Sequence, residues 1–458
     1  MVRDKFFYRS LLSLLLPITL QTLFSYAVQL IDGVMVASLG DTAIAAVNLG
    51  MQQYNVFTYI VYGFSTGAAV LISQCWGRND TETIQRIIRS ITKPLIVISF
   101  LYSVSCAIFS KQIMSFYTRE EDVILAGSQY LVIAAFSYFF NSLSKFYVAI
   151  VKAVENARLS MIVFLASFLT SLAMNFLLIE GRFGFPALGV RGAAISTLIA
   201  RIVELVICLV YNAKFEDRIG LSVGEMISGK AEKAILQEYA KISLPVVIEE
   251  MLWGIATSLR AAITGNVGAT FVTAISTSES LKQIAMVLTY SLAEVATILI
   301  AKAAGSGDLQ YSKKVGNTFT LLGFASSALG CVFMLLVRKP FLLLYPNISA
   351  ESSLLTSRLI RLSAFMALAR GTEYVLYIGV HRGAGDTRFA MFFDIAPMFL
   401  VSIPLGYLAA FVWKMNPVVV FFFIWCDTFI KDLVSLPRIL RGKYIKQITF
   451  DDTDGAKI

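Results

Sequence analysis

Polar and apolar residues alternate along this chain in long blocks, not in the short periods of a soluble fold. Twelve predominantly apolar runs follow one another, roughly at 11–37, 44–74, 91–113, 123–150, 159–180, 191–213, 241–264, 271–302, 316–337, 353–380, 389–413 and 418–436. Crossing the hydrocarbon layer takes about 20 such residues, and each run reaches that length within a residue or two. Lipid offers no partner for backbone polar groups, so every run is predicted as a helix. The expected fold is an all-α integral membrane protein of twelve transmembrane helices. The first run is too long for a signal peptide, contains Gln21 and Asp32, and has no small-residue cleavage site, so it reads as the first span.

The runs repeat. Residues 16–80 lie over 244–308 without a gap at an offset of 228. Leu16 and Pro17 fall on Leu244 and Pro245, Gly40 on Gly268, Thr42 on Thr270, Tyr62 on Tyr290, and Gly77 and Asp80 on Gly305 and Asp308. Six helices per half is an even number, so the halves point the same way and are related by an axis along the membrane normal. The predicted organisation is two pseudo-symmetric six-helix bundles. They comprise an N-terminal bundle over 1–213, a cytoplasmic linker over 214–240, a C-terminal bundle over 241–436 and a basic tail over 437–458.

Composition narrows the function. The chain is 57% hydrophobic and 15% charged, against roughly 45–50% and about 25% in average globular proteins, which argues against a soluble enzyme. One histidine and five cysteines without a CxxC pair leave little for metal sites, and none is predicted. No nucleophile–base pair and no P-loop are visible, and Gly305-Ser306-Gly307-Asp308 is a short turn with no strand before it. A membrane-embedded enzyme is therefore the least supported class. No cofactor is expected, and an ion gradient is the expected energy source. With the N-terminus placed inside, the inner loops carry about three times as many Lys and Arg as the outer ones. That accounts for the net charge of +9 without nucleic acid, and puts both termini in the cytoplasm of a plasma-membrane protein. The expected partners are the bilayer and a small amphipathic substrate, with the chain a monomer.

The runs LIDGVMVASLGDTAIAAVNLG (30–50), GFSTGAAVLISQCWGRND (63–80), NFLLIEGRFGFPALGVRGAAISTLIAR (175–201) and RGAGDTRFAMFFD (382–394) resemble the multidrug and toxic compound extrusion (MATE) family over nearly the whole chain. The resemblance implies an exporter that alternates between inward-open and outward-open states, expelling amphipathic, often cationic compounds in exchange for Na⁺ or H⁺. Asp32, Asn175 and Thr197, at nearly one depth by residue count, match the N-bundle cation site of that family. Ile179 stands where a second aspartate is often found, with Glu180 beside it, which weakens the case for Na⁺ and makes Asp32 the expected proton carrier.

The second half departs further from the drug-exporting pattern. Trp253 occupies an acidic position eight residues after Pro245, and Gly371 replaces the tenth-helix acid, with Arg370 and Glu373 nearby. The expected substrate cleft comprises Glu249, Glu250, Trp253, Arg260, Glu279, Lys282, Gln52 and Gln283. Four intramembrane cations have an acidic neighbour at helical spacing: Arg201 with Glu204, Lys282 with Glu279, Arg370 with Glu373, and Lys431 with Asp427. Arg260 has none and falls on Asp32 in the repeat, so an ion pair between those two is expected. These cations leave open a second reading, a flippase for an anionic lipid-linked precursor or an exporter of anionic or zwitterionic metabolites. His381, at the end of the tenth run, is expected at the membrane interface.

Overall fold

The computed structural model describes residues 1–37, 41–179, 181–343 and 350–446, with side chains throughout except at 27–37, 41, 44, 269 and 350. All regular structure among the described residues is helical. The N-terminal half supplies α1 (Lys5–Ala37), α2 (Asp41–Gly77), α3 (Thr81–Ile108), α4 (Glu121–Ala153), α5 (Arg158–Leu178) and α6 (Val190–Phe215). The second half begins with α7 (Lys233–Val267). Next come α8, in two segments Ala269–Ala285 and Val287–Gly305, and α9 (Leu309–Leu342). Helix α10 joins Ala350–Tyr374 to a π-helical stretch Val375–Arg382. Helix α11 covers Thr387–Val412, and α12 consists of Pro417–Trp425 and Asp427–Leu440. The twelve predicted spans are thus present as twelve long helical elements.

Ten of the twelve are apolar and continuous enough to cross a membrane by length and composition. The other two are α10 and α12. Helix α10 carries Arg358, Arg361, Arg370 and Glu373, while α12 is divided at Cys426 and carries Asp427, Lys431 and Asp432. Of these charges, Arg370, Glu373, Asp427 and Lys431 belong to the candidate site.

The repeat has a local physical basis. Asp80 accepts the Thr83 backbone N–H at 3.0 Å and starts α3. Its repeat equivalent Asp308 accepts the Tyr311 N–H at 2.9 Å and starts α9. An Asp at the N-cap satisfies a donor that the first turn leaves open, so the same cap begins the third helix of each half.

The chain divides into two compact units, one of Leu16–Val247 and the other of Met1–Leu15 with residues 248–446. The divisions fall inside α1 and α7, each within two residues of a helical proline, Pro17 and Pro245. In the N-terminal unit, α2 and the first part of α7 make a close crossing. A Cβ on Gly63 would meet the Val247 backbone at 2.8 Å, and one on Gly67 would meet the Ser243 Cα at 2.9 Å. Ser243 Oγ donates to the Gly63 carbonyl at 3.1 Å and Tyr239 Oη to that of Phe64 at 2.8 Å. Small residues four apart let helix backbones approach closely enough for such contacts.

Candidate functional site

Charged side chains inside an apolar unit must neutralise one another or remain costly to bury. In the C-terminal unit they do so around Lys431, which is fully buried. Its Nζ lies 2.8 Å from Asp394 Oδ1, 2.9 Å from Asp427 Oδ2 and 3.1 Å from Glu373 Oε1. The carboxylates come from α11, α12 and α10, so one ammonium with three N–H donors meets one acceptor from each of three helices. Asp427 also receives Arg260 Nη2 of α7 at 2.7 Å, and that nitrogen donates to Ser402 Oγ at 2.9 Å. Glu373 receives Arg370 Nη1 at 2.6 Å. Beside Lys431, Asp432 buries Oδ1 with no hydrogen-bond partner among the described residues.

Irregular backbone delivers some of these groups. Ser402 ends a π-helical stretch, Met398–Ser402, that begins directly after Pro397. Pro397 has no N–H to give the preceding turn, and a wider turn changes the face on which Ser402 emerges. In α12 the break at Cys426 separates Trp425 from Asp427. Three cations stand over the Trp425 ring, with Arg260, Lys282 and Arg370 at 4.2, 4.8 and 5.8 Å from its centroid. Lys282 also meets Glu279 at 2.6 Å.

A second cluster lies along the same unit. Arg382 Nη2 is 3.0 Å from Glu249 Oε1 and 2.8 Å from Glu250 Oε1, so the arginine of the RGAGD run clasps two adjacent acids of α7. The aspartate of that run, Asp386, is buried beneath Arg438 Nε at 2.7 Å and Lys446 Nζ at 2.6 Å, with His381 Nδ1 at 3.5 Å. Burial by itself would push the Asp386 carboxyl up. His381, Arg438 and Lys446 outweigh that and hold it well below the usual carboxylate range. His381 is fully buried and lies 2.8 Å from Ser435 Oγ. Phe389, Tyr377 and Tyr444 close around it inside the protein.

The N-terminal unit has its own polar cluster. Arg201 pairs with Glu204, which accepts from Ser144 Oγ at 3.2 Å. Tyr54 Oη donates to Asn141 Oδ1 at 3.4 Å, and Lys145 stands 5.4 Å from the Tyr54 ring centroid. Asn175 is buried on α5, and Thr197 Oγ1 donates to the Ala193 carbonyl on α6 at 3.0 Å. The helices bearing them pack on each other. The Asp32 side chain and Glu180 lie outside the described residues.

All four ion pairs expected from helical spacing are present. Of the expected cleft residues, Glu249, Glu250, Arg260, Glu279 and Lys282 all take part in ion contacts of the C-terminal unit. Trp253 packs on Ile395 and Met398, while Gln52 and Gln283 are exposed. Arg260 pairs with Asp427, a partner that local spacing does not reveal, and the expected pair with Asp32 falls on a side chain outside the described residues. Asp394, Ser402 and Trp425 were missed as site residues. Asp394 alone had a sequence signal, a carboxylate within an apolar run. At Gly371 a Cβ would overlap Ser327 Oγ and Met286 Cε. That position has no room for an acid, and Glu373 supplies the carboxylate of α10 instead.

The MatE family profile matches residues 17–177 and 245–408. The chain belongs to the MatE family. The two matches start at Pro17 and Pro245, reproducing the 228-residue repeat. The chain is 25% identical over 411 residues to the uncharacterized transporter YisQ of Bacillus subtilis (strain 168), covering 88% of each protein. It is 25% identical over 417 residues to the probable multidrug resistance protein NorM of Rhizobium meliloti (strain 1021), covering 88% of this chain and 86% of the relative. A crystal structure of the Vibrio cholerae MATE transporter VcmN superposes with a TM-score of 0.85 at 17% identity, over 94% of this chain and 96% of that one. This MatE chain is accordingly a multi-pass membrane protein with the MATE fold.

Proposed function

We propose that this MatE chain is a secondary active exporter of amphipathic small molecules, working by alternating access and driven by proton antiport. It would act as a monomer in the plasma membrane, with both termini in the cytoplasm. Family membership and the names of relatives such as NorM support export. The observation that carries the choice of ion is the position of Lys431. Its ammonium stands among Glu373, Asp394 and Asp427 at 2.8–3.1 Å, where a monovalent metal ion would need those same oxygens. The cluster already holds a tethered cation, so an external Na⁺ has no vacancy there. In the N-terminal unit, Asp32 is the proposed proton carrier, Asn175 and Thr197 are its proposed partners from the family resemblance, and Ile179 supplies no second carboxylate to favour Na⁺.

The test is transport in proteoliposomes under an imposed pH gradient or an imposed Na⁺ gradient, with cationic, neutral and anionic amphiphiles. The proposal expects uptake or efflux driven by the pH gradient and abolished by Asp32→Asn. Transport driven by Na⁺ alone, or full pH-driven transport by Asp32→Asn, would overturn the coupling assignment.

A further inference from the structure

Arg260 is only 3% exposed, yet among the described residues just one of its three nitrogens is used. Nη2 serves both Asp427 and Ser402, while Nε and Nη1 are buried with no hydrogen-bond partner among the described residues. Buried donors without a protein partner call for one from outside the chain, an ordered water or an arriving ligand. What surrounds them is cationic and aromatic. The guanidinium lies over Trp425, and Lys282 and Arg370 approach the same ring. Each of the three cations already has one carboxylate: Asp427 for Arg260, Glu279 for Lys282, Glu373 for Arg370. The box is therefore neutral before a ligand enters, and what it still offers is N–H donors.

The rim of this cluster is partly exposed and adjoins apolar surface. The side chains of Lys282, Arg370 and Glu279 keep 10%, 14% and 25% of their surface exposed, and Trp425 is half-buried. Trp425 packs against an apolar cluster that includes Ile263, Phe271 and Phe421, so hydrocarbon adjoins the donors.

We propose that the unused Arg260 donors, with Trp425, Lys282 and Arg370 around them, bind the acidic group of an amphipathic organic anion whose aromatic or apolar body lies along Trp425. A planar guanidinium suits carboxylates and sulfonates because two of its N–H groups point in parallel. This deepens the exporter reading and rests on it, since it assigns the substrate a negative group instead of the positive one the family resemblance implies.

The test uses the full chain in phosphatidylcholine nanodiscs with two probes of one shape and opposite charge, 2-naphthalenesulfonate and 2-naphthylmethylammonium, titrated calorimetrically. The wild type is expected to bind the sulfonate more tightly than the ammonium. Arg260→Lys keeps the charge facing Asp427 but loses the fork, and should weaken sulfonate binding about tenfold, the equivalent of about 1.4 kcal/mol. Lys282→Met, at the exposed rim, should weaken it in the same direction, and neither change should weaken the ammonium probe. Equal binding of the two probes by the wild type, or wild-type sulfonate affinity in both variants, overturns the proposal. Should Arg260→Lys aggregate, Lys282→Met decides alone. The exporter reading is scored separately, by pH-driven movement of ethidium and of 2-naphthalenesulfonate in proteoliposomes. Ethidium transport without sulfonate binding removes only this inference. Sulfonate binding with no transport of any amphiphile removes the exporter reading and leaves the site.

Discussion

Replacing Lys431 by methionine keeps much of the side-chain volume and removes the one charge that three carboxylates share. The side chain is fully buried, and its three ion contacts span only 2.8 to 3.1 Å, so water cannot take its place without rearranging α10, α11 and α12. Removing one partner of a buried ion pair costs about 3–5 kcal/mol. If the C-terminal unit melts cooperatively, each kcal/mol lowers the midpoint by about 2–4 °C for a domain of its size, which gives a fall of roughly 6–20 °C. The assay is thermal unfolding followed by tryptophan fluorescence in detergent at neutral pH, read at a fixed scan rate because such unfolding is irreversible. Asp394→Asn in the Lys431→Met background removes one of the stranded carboxylates and should recover part of the loss, a coupling that independent sites would not show. If Lys431 stands in for a metal cation, NaCl should stabilise Lys431→Met more than choline chloride does, and should not distinguish the two salts in the wild type. A Lys431→Met midpoint within about 2 °C of wild type, or one insensitive to the cation, refutes the reasoning.

Asp386→Asn should destabilise the chain by about 1–3 kcal/mol at pH 7. Because the folded carboxyl is held below its usual value, its contribution is present above the unfolded value of about 4 and is lost as pH falls below it. The gap between variant and wild type should therefore close on acidification, and a gap unchanged at low pH counts against this account. Gly67→Val places a branched side chain against the Ser243 backbone and should cost about 1–3 kcal/mol, seen as a lower midpoint and a broadened elution profile. Gly265→Ala, where a Cβ meets open space on a helix, should be tolerated or stabilising by up to about 1 kcal/mol. Arg86 and Glu232 make a forked but partly exposed pair at 2.6 and 2.9 Å. Glu232→Gln should change stability by less than about 1 kcal/mol.

The parts of this fold legible in the sequence are those fixed within one helix or by the membrane. Span count follows from apolar length, and the equivalence of Asp80 and Asp308 follows from the repeat. The Arg201, Lys282, Arg370 and Lys431 pairs follow from three- and four-residue spacing. Contacts between distant helices could not be read in this way, such as Arg260 with Asp427, 167 residues apart, or Arg382 with Glu250, 132 apart. Residue counting also loses phase where the helix changes pitch. Helix α11 passes through π-helical stretches at Met398–Ser402 and Leu408–Val412, and each extra residue turns the remainder of the helix by about 100°. No regular period would have pointed Ser402 at Arg260.

The missing acid at Gly371 shows how such a site can be rearranged while the fold is kept. A side chain there is barred by Ser327 and Met286, so this chain places its α10 carboxylate at Glu373, two residues on and on another face of the helix. That face meets α11 and α12, where Asp394 and Asp427 would add to the negative charge. Three carboxylates within reach of one another in an apolar interior repel unless a cation joins them, and Lys431 is the cation the sequence supplies. Once Lys431 holds Asp427 from one side, the other carboxylate oxygen is left to bind Arg260, and Arg260 is drawn onto Trp425 with two donors unused. The unpaired cation that residue spacing could not explain and the acid absent from its expected position are thus two ends of one rearrangement, which runs from Gly371 through Glu373, Lys431 and Asp427 to Arg260.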